Sequence, residues 1–229
     1  MLSEKFDRYL SNYTDHTVGG FQKGVDFILG KAAVNESLEE FTINFFLDAF
    51  GKRGPESMVY YITEKYGAGC TANLSEEIIE KMEHFSKAKE GRPAPDLVLN
   101  DPNGEQTALS SVITGNKLVA LFFWASSCPH CHDAMPFVKN LYDQYKEKGL
   151  EIYAVSVDTN KAEWLSAIDE YDMNWKNVCD FKGWKSEGTL SYNIRMTPMA
   201  VLVNNEGIIL KRNLQGTNLK KEIEAYLGS

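Results

Sequence analysis

Residues 118–125 form an unbroken run of eight apolar residues, and Cys128-Pro129-His130-Cys131 follows almost at once. A membrane-spanning helix needs roughly 20 such residues. A run this short, rich in aromatic and branched side chains and flanked by turn formers, reads as a β-strand over 117–124 covered on both faces. Such a strand demands helices on both sides of its sheet. The flanking pattern supplies them. Met135, Val138, Leu141, Tyr142 and Tyr145 mark a helix ending near Gly149, residues 150–157 read as a second buried strand, and Trp164, Leu165, Ile168 and Tyr171 mark a second helix. Two hairpins follow from turn chemistry: 97–100 with 106–109 around Asp101-Pro102-Asn103-Gly104, and 199–203 with 208–211 around Asn204-Asn205-Glu206-Gly207. Leu219, Ile223, Tyr226 and Leu227 give a closing helix. The expected fold is α/β, a mixed sheet with helices on both faces over residues 97–229.

The first ninety residues read as helices alone. Leu2, Phe6, Tyr9, Leu10 and Tyr13 keep one face, and Phe21, Val25, Ile28, Leu29 and Ala32 keep another after Gly19-Gly20. Ser37 with Glu40 three residues on is a capping-box signal for a third helix carrying Leu38, Phe41, Phe45, Phe46 and Ala49. Ile43, Leu47 and Phe50 leave that helix little polar face, so it is expected at the centre. Gly54-Pro55 opens a fourth with Met58, Tyr61 and Ile62, ended by Gly67-Ala68-Gly69, and a fifth opens near Asn73 with Ile78, Met82 and Phe85. The expected division is a helical domain over 1–88, an extended linker over 89–96 containing Gly91-Arg92-Pro93-Ala94-Pro95, and an α/β domain over 97–229.

With 43% apolar and 12% aromatic residues the chain is not of the disordered class. Its 24 Lys and Arg stand against 32 Asp and Glu, a net charge of −8 without a basic cluster, which excludes a nucleic-acid partner. No stretch reads as a transmembrane helix, and charges at Glu4, Lys5, Asp7, Arg8 and Asp15 leave no apolar core of a secretory signal. The chain is therefore read as a trimmed or mature form, or as cytoplasmic.

Cys128 and Cys131 carry the chemistry. Two cysteines separated by two residues reach disulfide distance across one helical turn, and their place between a buried strand and a helix reads as a dithiol redox site. Pro129 suits the first helical position, which makes Cys128 the N-cap at the positive end of the helix dipole, where a thiolate is stabilised. Cys128 is then the attacking sulfur and Cys131, one turn inside, the resolving thiol. His130 beside the reactive sulfur has a functional case as a hydrogen-bond donor or positive charge. A metal site built on Cys128, His130, Cys131 and His132 lacks a second Cys/His pair to close a tetrahedron, so no metal and no cofactor is expected.

The stretch Leu121-Phe122-Phe123-Trp124-Ala125-Ser126-Ser127-Cys128-Pro129-His130-Cys131, with Pro136 in the helix and Thr197-Pro198 before the last hairpin, resembles the thioredoxin superfamily. Pro93-Ala94-Pro95-Asp96, Leu109-Ser110 and the long connection from Val157 to Pro198 narrow the resemblance to TlpA/ResA-like thiol–disulfide oxidoreductases, over about residues 91–229. The helical part is similar to N-terminal extensions of Bacteroidetes members. The resemblance implies a thioredoxin-like fold, Trp124 as the aromatic beneath the site, Pro198 as a cis-proline, and an enzyme exchanging disulfides with protein clients. It implies a reductase rather than an oxidase and a periplasmic or cell-envelope location, and allows a membrane electron donor of the thiol–disulfide relay type. A cis bond before Pro198 turns Thr197 toward the site, so that its N–H and C=O can meet an extended client segment; Trp124 and Pro129 complete the expected client contact. Two family positions for a proton-transferring acid are Phe122 and Ala134 here, so a carboxylate elsewhere or water must take the proton of Cys131.

Other residues read as ordinary. His132 and Asp133 are expected as solvated helix residues, His16 and His84 have no ligand-spaced partner, and Cys179 is expected as a buried, inert thiol. Trp164, Trp175 and Trp184 are expected to pack the core and the insert between Val157 and Pro198 rather than bind ligand, and a Cys70–Cys179 disulfide is disfavoured. Two other functions compete: a redox-sensing or client-binding module of the cell envelope without turnover, and a thiol peroxidase. The peroxidase needs Thr or Ser three residues before the cysteine and proline seven before, where Ala125 and Leu121 stand.

Overall fold

The computed structural model describes residues 2–67 and 74–228, and the chain divides into two units, Met1–Ser86 and Lys87–Ser229. Cys70 and Asn73, and the side chain of His84, lie outside the described residues.

The first unit contains α1 (Leu2–Tyr13), α2 (Val18–Ala32), α3 (Glu36–Arg53), α4 (Glu56–Ile62) running into a π-helical turn (Thr63–Gly67), and α5 (Glu76–Ser86). Thr17, not the glycine pair, starts α2: its Oγ1 accepts the Gly20 N–H at 3.0 Å, and Gly19-Gly20 lie inside the first turn. A side chain at Gly20 would run into Asp15, so glycine there permits a close approach rather than breaking the helix. Asn35 caps α3 two residues before the expected Ser37, its Oδ1 accepting from Leu38 N at 2.9 Å. Glu40 closes no capping box and instead accepts the Ser75 N–H at 3.0 Å. The deepest face of α3 is Ile43, Phe46, Leu47 and Phe50, whereas Phe41 is 46% exposed. Apolar residues on every side of the helix's middle turns leave no single stripe marked as the inward one.

The second unit opens with β1 (Val98–Asn100), β2 (Gln106–Ala108) and α6 (Leu109–Thr114). It continues with β3 (Leu118–Trp124), α7 (Pro129–Tyr145), β4 (Leu150–Ser156), α8 (Lys161–Glu170) and β5 (Lys176–Cys179). It ends with α9 (Glu187–Ser191), β6 (Met199–Asn204), β7 (Ile209–Leu214) and α10 (Gly216–Leu227). Among the described residues the strands form one mixed seven-stranded sheet in the order β2-β1-β5-β4-β3-β6-β7. The central pairs β3/β4 and β4/β5 are parallel, and β3/β6 and β6/β7 are antiparallel. Both hairpins and the helices on both faces match the sequence pattern. The pattern missed α6, β5 and α9, because helices of five or six residues show no full period and β5 carries Lys176 and Asn177.

Along β3 the strand period sorts side chains between two cores. Leu118, Ala120, Phe122 and Trp124 join Met135, Val138 and Leu141 of α7 and Ile223 of α10; Val119, Leu121 and Phe123 join Leu109, Val112 and Tyr192. Trp164 and Trp175 are buried as expected, while Trp184 stands in a short 3-10 turn of the connection before Pro198 and is 50% exposed.

Residues 89–92 do not run extended as expected but form a turn, with Arg92 N donating to Lys89 O at 3.1 Å and Gly91 at a φ of +80°, and Pro93 then bridges to Ile208. Gly91 N and Ala94 N donate to Ile209 O and Gly207 O at 2.8 Å, Ile209 N donates to Arg92 O at 2.9 Å, and Ala88 is buried in the core beneath. This stretch therefore edges the β6/β7 hairpin instead of swinging as a free connector. At the other end of the sheet, Trp124 pairs in parallel register with Ser156, and Phe123 pairs with Met199. The loops after β3 and β4 and the segment before β6 thus open at one edge, the place where parallel strands present ligand-binding loops.

Candidate active site

The chain leaves β3 at Trp124, and Cys128 N donates to Ala125 O at 3.2 Å, closing a turn that delivers Cys128 to the N-cap of α7. Pro129, at the first helical position, needs no hydrogen-bond partner for its nitrogen. The cap is the cysteine itself: Cys128 Sγ accepts the Cys131 N–H at 3.3 Å. Cys128 is half-buried, Cys131 is fully buried, and both are free thiols. Burial, and next the adjoining Cys128, push the Cys131 thiol well above the usual thiol range.

Thr197-Pro198 is a cis peptide bond, and the Cys128 thiol faces Thr197 O at 3.5 Å. Trp124 is buried in the same apolar cluster as Cys131, with Cys128 packed against it. His130 is exposed, and no hydrogen bond of its side chain is formed with the described residues. The structure thus brings Cys128, Cys131, Thr197, Pro198 and Trp124 together, with Pro129 and His130 on the solvent side. Among the described residues no three His, Cys, Asp or Glu side chains are grouped as a metal ion requires. Cys179 is buried with its Sγ 3.6 Å from Ser156 O and Asp158 O, and burial raises its thiol as well.

Sequence reasoning passed over the contacts that Asp158, His132 and Tyr171 make at this edge. Asp158, nearly buried, accepts from Ser126 N and Oγ and from Ser156 Oγ. His132, read as a solvated helix residue, is exposed but held at both ring nitrogens, by Ser126 O and by Tyr171 Oη. The signal that could have found Asp158 is its place just past the end of a strand parallel to the one that feeds the cysteines.

A family model described as Redoxin matches residues 89–227. The thiol–disulfide oxidoreductase ResA of a Bacillus cereus strain is 32% identical over 141 residues, which is 62% of this chain and 78% of that protein. ResA of Bacillus subtilis (strain 168) is 32% identical over 138 residues, 60% of this chain and 74% of its own length. A solved thiol–disulfide oxidoreductase from Bacteroides fragilis NCTC 9343 superposes with a TM-score of 0.55 at 32% identity, covering 58% of this chain and 98% of that one. A thioredoxin-like protein from Bacteroides caccae ATCC 43185 reaches a TM-score of 0.67 over 92% of this chain and 78% of its own, at 18% identity, and so shares its fold.

Proposed function

Since the chain belongs to the Redoxin family as a TlpA/ResA-like thioredoxin-superfamily oxidoreductase, we propose that Cys128 and Cys131 are the redox pair through which it exchanges disulfides with protein clients. The observation that carries this reading is the pairing of a half-exposed sulfur at a helix N-cap with a buried thiol one turn inside, beside the Thr197 backbone. In the reducing direction the Cys128 thiolate attacks one sulfur of a client disulfide, and the client's other sulfur leaves as a thiolate. Cys131 then attacks Cys128 Sγ, giving its proton to water or to the departing client sulfur, and the client leaves carrying two electrons more. The Cys128–Cys131 disulfide that results must be reduced by a donor, for which the reading takes a membrane dithiol relay. The oxidase direction is the same sequence reversed. Thr197 offers backbone groups to an extended client segment and Pro129 borders its path, whereas Trp124, expected to touch the client, is only 1% exposed and supports the cysteines from beneath. A dithiol that meets protein disulfides works where those disulfides persist, which favours the periplasm or cell envelope. Fractionation of cells carrying the tagged full-length gene product tests that location. Among the described residues no helix is long and apolar enough to cross a membrane.

Insulin reduction with dithiothreitol tests the catalytic reading: the protein is expected to speed precipitation, whereas a module that only senses redox state leaves the rate unchanged. Alkylation tests the division of labour. At mildly acid pH the reduced protein is expected to take label on Cys128, with Cys131 and Cys179 spared because burial keeps their protons on. Label on Cys131 emerges only as pH rises past the ordinary thiol range. Mass mapping that finds Cys131 modified first would reverse the assignment.

His130 sits in the first turn of α7 beside Cys128, where a polar or charged ring favours thiolate over disulfide. The pair is accordingly expected to be more oxidising than thioredoxin, whose potential is roughly −270 mV. His130→Ala is expected to lower the potential in glutathione titrations and to slow alkylation of Cys128 at mildly acid pH. If neither moves, the next residue to change is Thr197.

A further inference from the structure

Two side chains with no part in the exchange itself both end on Ser126, two residues before Cys128. The Ser126 N–H faces both Asp158 carboxylate oxygens, at 3.1 and 3.0 Å, and Ser126 Oγ donates to Oδ1 at 2.7 Å. Asp158 is itself fixed, for Ser156 Oγ donates to its Oδ2 at 2.6 Å and its own N–H donates to Ser156 Oγ at 2.9 Å. From the opposite side His132 Nε2 lies 2.5 Å from Ser126 O. A carbonyl oxygen only accepts, so Nε2 carries the proton; Nδ1, 2.6 Å from Tyr171 Oη, then accepts the tyrosine proton in the neutral ring. The Tyr171 ring also stands edge-on to the imidazole, with centroids 5.5 Å apart. Every polar group of Ser126 is therefore engaged, by the loop after β4 through Asp158 and by α7 through His132.

We infer that Asp158 and His132 are positioning residues of the redox centre, clamping Ser126 so that the chain enters α7 with Cys128 Sγ at the N-cap. The inference rests on the reading of Cys128 as the attacking sulfur. Its physical basis is the turn closed by Cys128 N and Ala125 O, in which Ser126 is the first of two central residues. The orientation of that peptide sets the direction in which Cys128 arrives. Polar contacts to all three groups of one residue, from partners 32 positions downstream and six positions downstream, remove its freedom to rotate. A displacement of the reacting atom by about 1 Å is enough to cost up to a hundredfold in rate.

The test compares full-length variants for cooperative melting, for the rate of reaction with a small aromatic disulfide at neutral pH, and for the dithiol/disulfide equilibrium against glutathione. His132→Phe keeps a planar ring and removes the bond to Ser126 O; the expected result is a loss of about tenfold in rate. The same variant is expected to shift the equilibrium about threefold toward the disulfide, because the thiolate loses its place on the helix dipole. His132→Gln, whose amide N–H can reach the position of Nε2, is expected to recover most of the rate, a rescue that bulk alone would not give. Asp158→Ala is expected to lose more than His132→Phe; should it fail to melt cooperatively, the two His132 variants decide. The clamp is refuted if His132→Phe melts cooperatively and keeps the wild-type rate and equilibrium, or if Gln does no better than Phe. Wild-type protein that labels at Cys131 before Cys128 removes instead the reading on which the clamp depends.

Discussion

A Cys131→Ala protein is expected to accumulate disulfide-linked complexes with its clients, and a Cys128→Ser protein to reduce insulin no faster than dithiothreitol alone. The first expectation follows from the second half of the exchange. Once Cys128 has joined a client sulfur, the bond is released from within only by a thiol one turn along the helix, and the backbone N–H of residue 131, which faces Cys128 Sγ at 3.3 Å, belongs to that same residue. Alanine keeps the helix and its amide while removing the resolving sulfur, so the mixed disulfide persists until an outside thiol arrives. The second follows from the nucleophile. A serine at the N-cap still caps the helix well, so folding is retained, yet its oxygen cannot form a disulfide. Non-reducing electrophoresis after acid quench reads both. Complexes that form equally in Cys128→Ser and in Cys131→Ala would place the attack on another thiol, and Cys179, buried behind Ser156 and Asp158, has no route to a client in this fold.

The parts of this centre that were legible in sequence are those set by neighbouring residues. An eight-residue apolar strand, a cysteine at a helix cap and a proline behind it lie within fourteen positions, 118–131, and each obeys a local rule. Thr197-Pro198 is distant and was placed at the site by family resemblance rather than by any rule of spacing. Asp158 and His132 escaped for a different reason. Ser126 meets Asp158 across 32 residues because β3 and β4 run parallel in the register Trp124 with Ser156, and no feature of the loop sequences announces a partner. His132 was read correctly as exposed, but exposure does not preclude two ring contacts, one of them to a tyrosine 39 residues on. The helical unit shows the opposite limit. With apolar residues on every side of α3, periodicity placed Phe46 on the inner face but set Phe41 beside it, where Ile43, Leu47 and Phe50 are buried instead.

A chain beginning at Lys87 is expected to unfold cooperatively by itself, and one beginning at Leu97 to melt at least about 12 °C lower or to lose a cooperative transition. Both contain all seven strands, so the difference isolates residues 87–96, which include the stretch 89–96 whose sequence reads as a linker. Removing it takes away three backbone hydrogen bonds along β7 and its turn, those of Gly91, Ala94 and Ile209. It also removes Ala88 O, the acceptor of Arg212 Nη1, and Glu90 Oε1, which accepts the Arg212 N–H at 3.1 Å. Arg212 is only 6% exposed, and a further guanidinium bond, Nη2 to Tyr192 O at 2.7 Å, does not replace what is lost. Tyr192, fully buried, loses Pro95 O, to which its hydroxyl donates at 2.6 Å. With roughly 1 kcal/mol for each ordinary hydrogen bond and more for one made by the charged guanidinium, the cost is about 4 kcal/mol or above, a large part of the roughly 5–15 kcal/mol that holds a domain folded. The expected stabilising boundary of the second unit is thus Lys87, eleven residues before β1. Equal melting temperatures for the two chains would show that residues 87–96 lie against the hairpin without holding it, and would return them to the role of a linker.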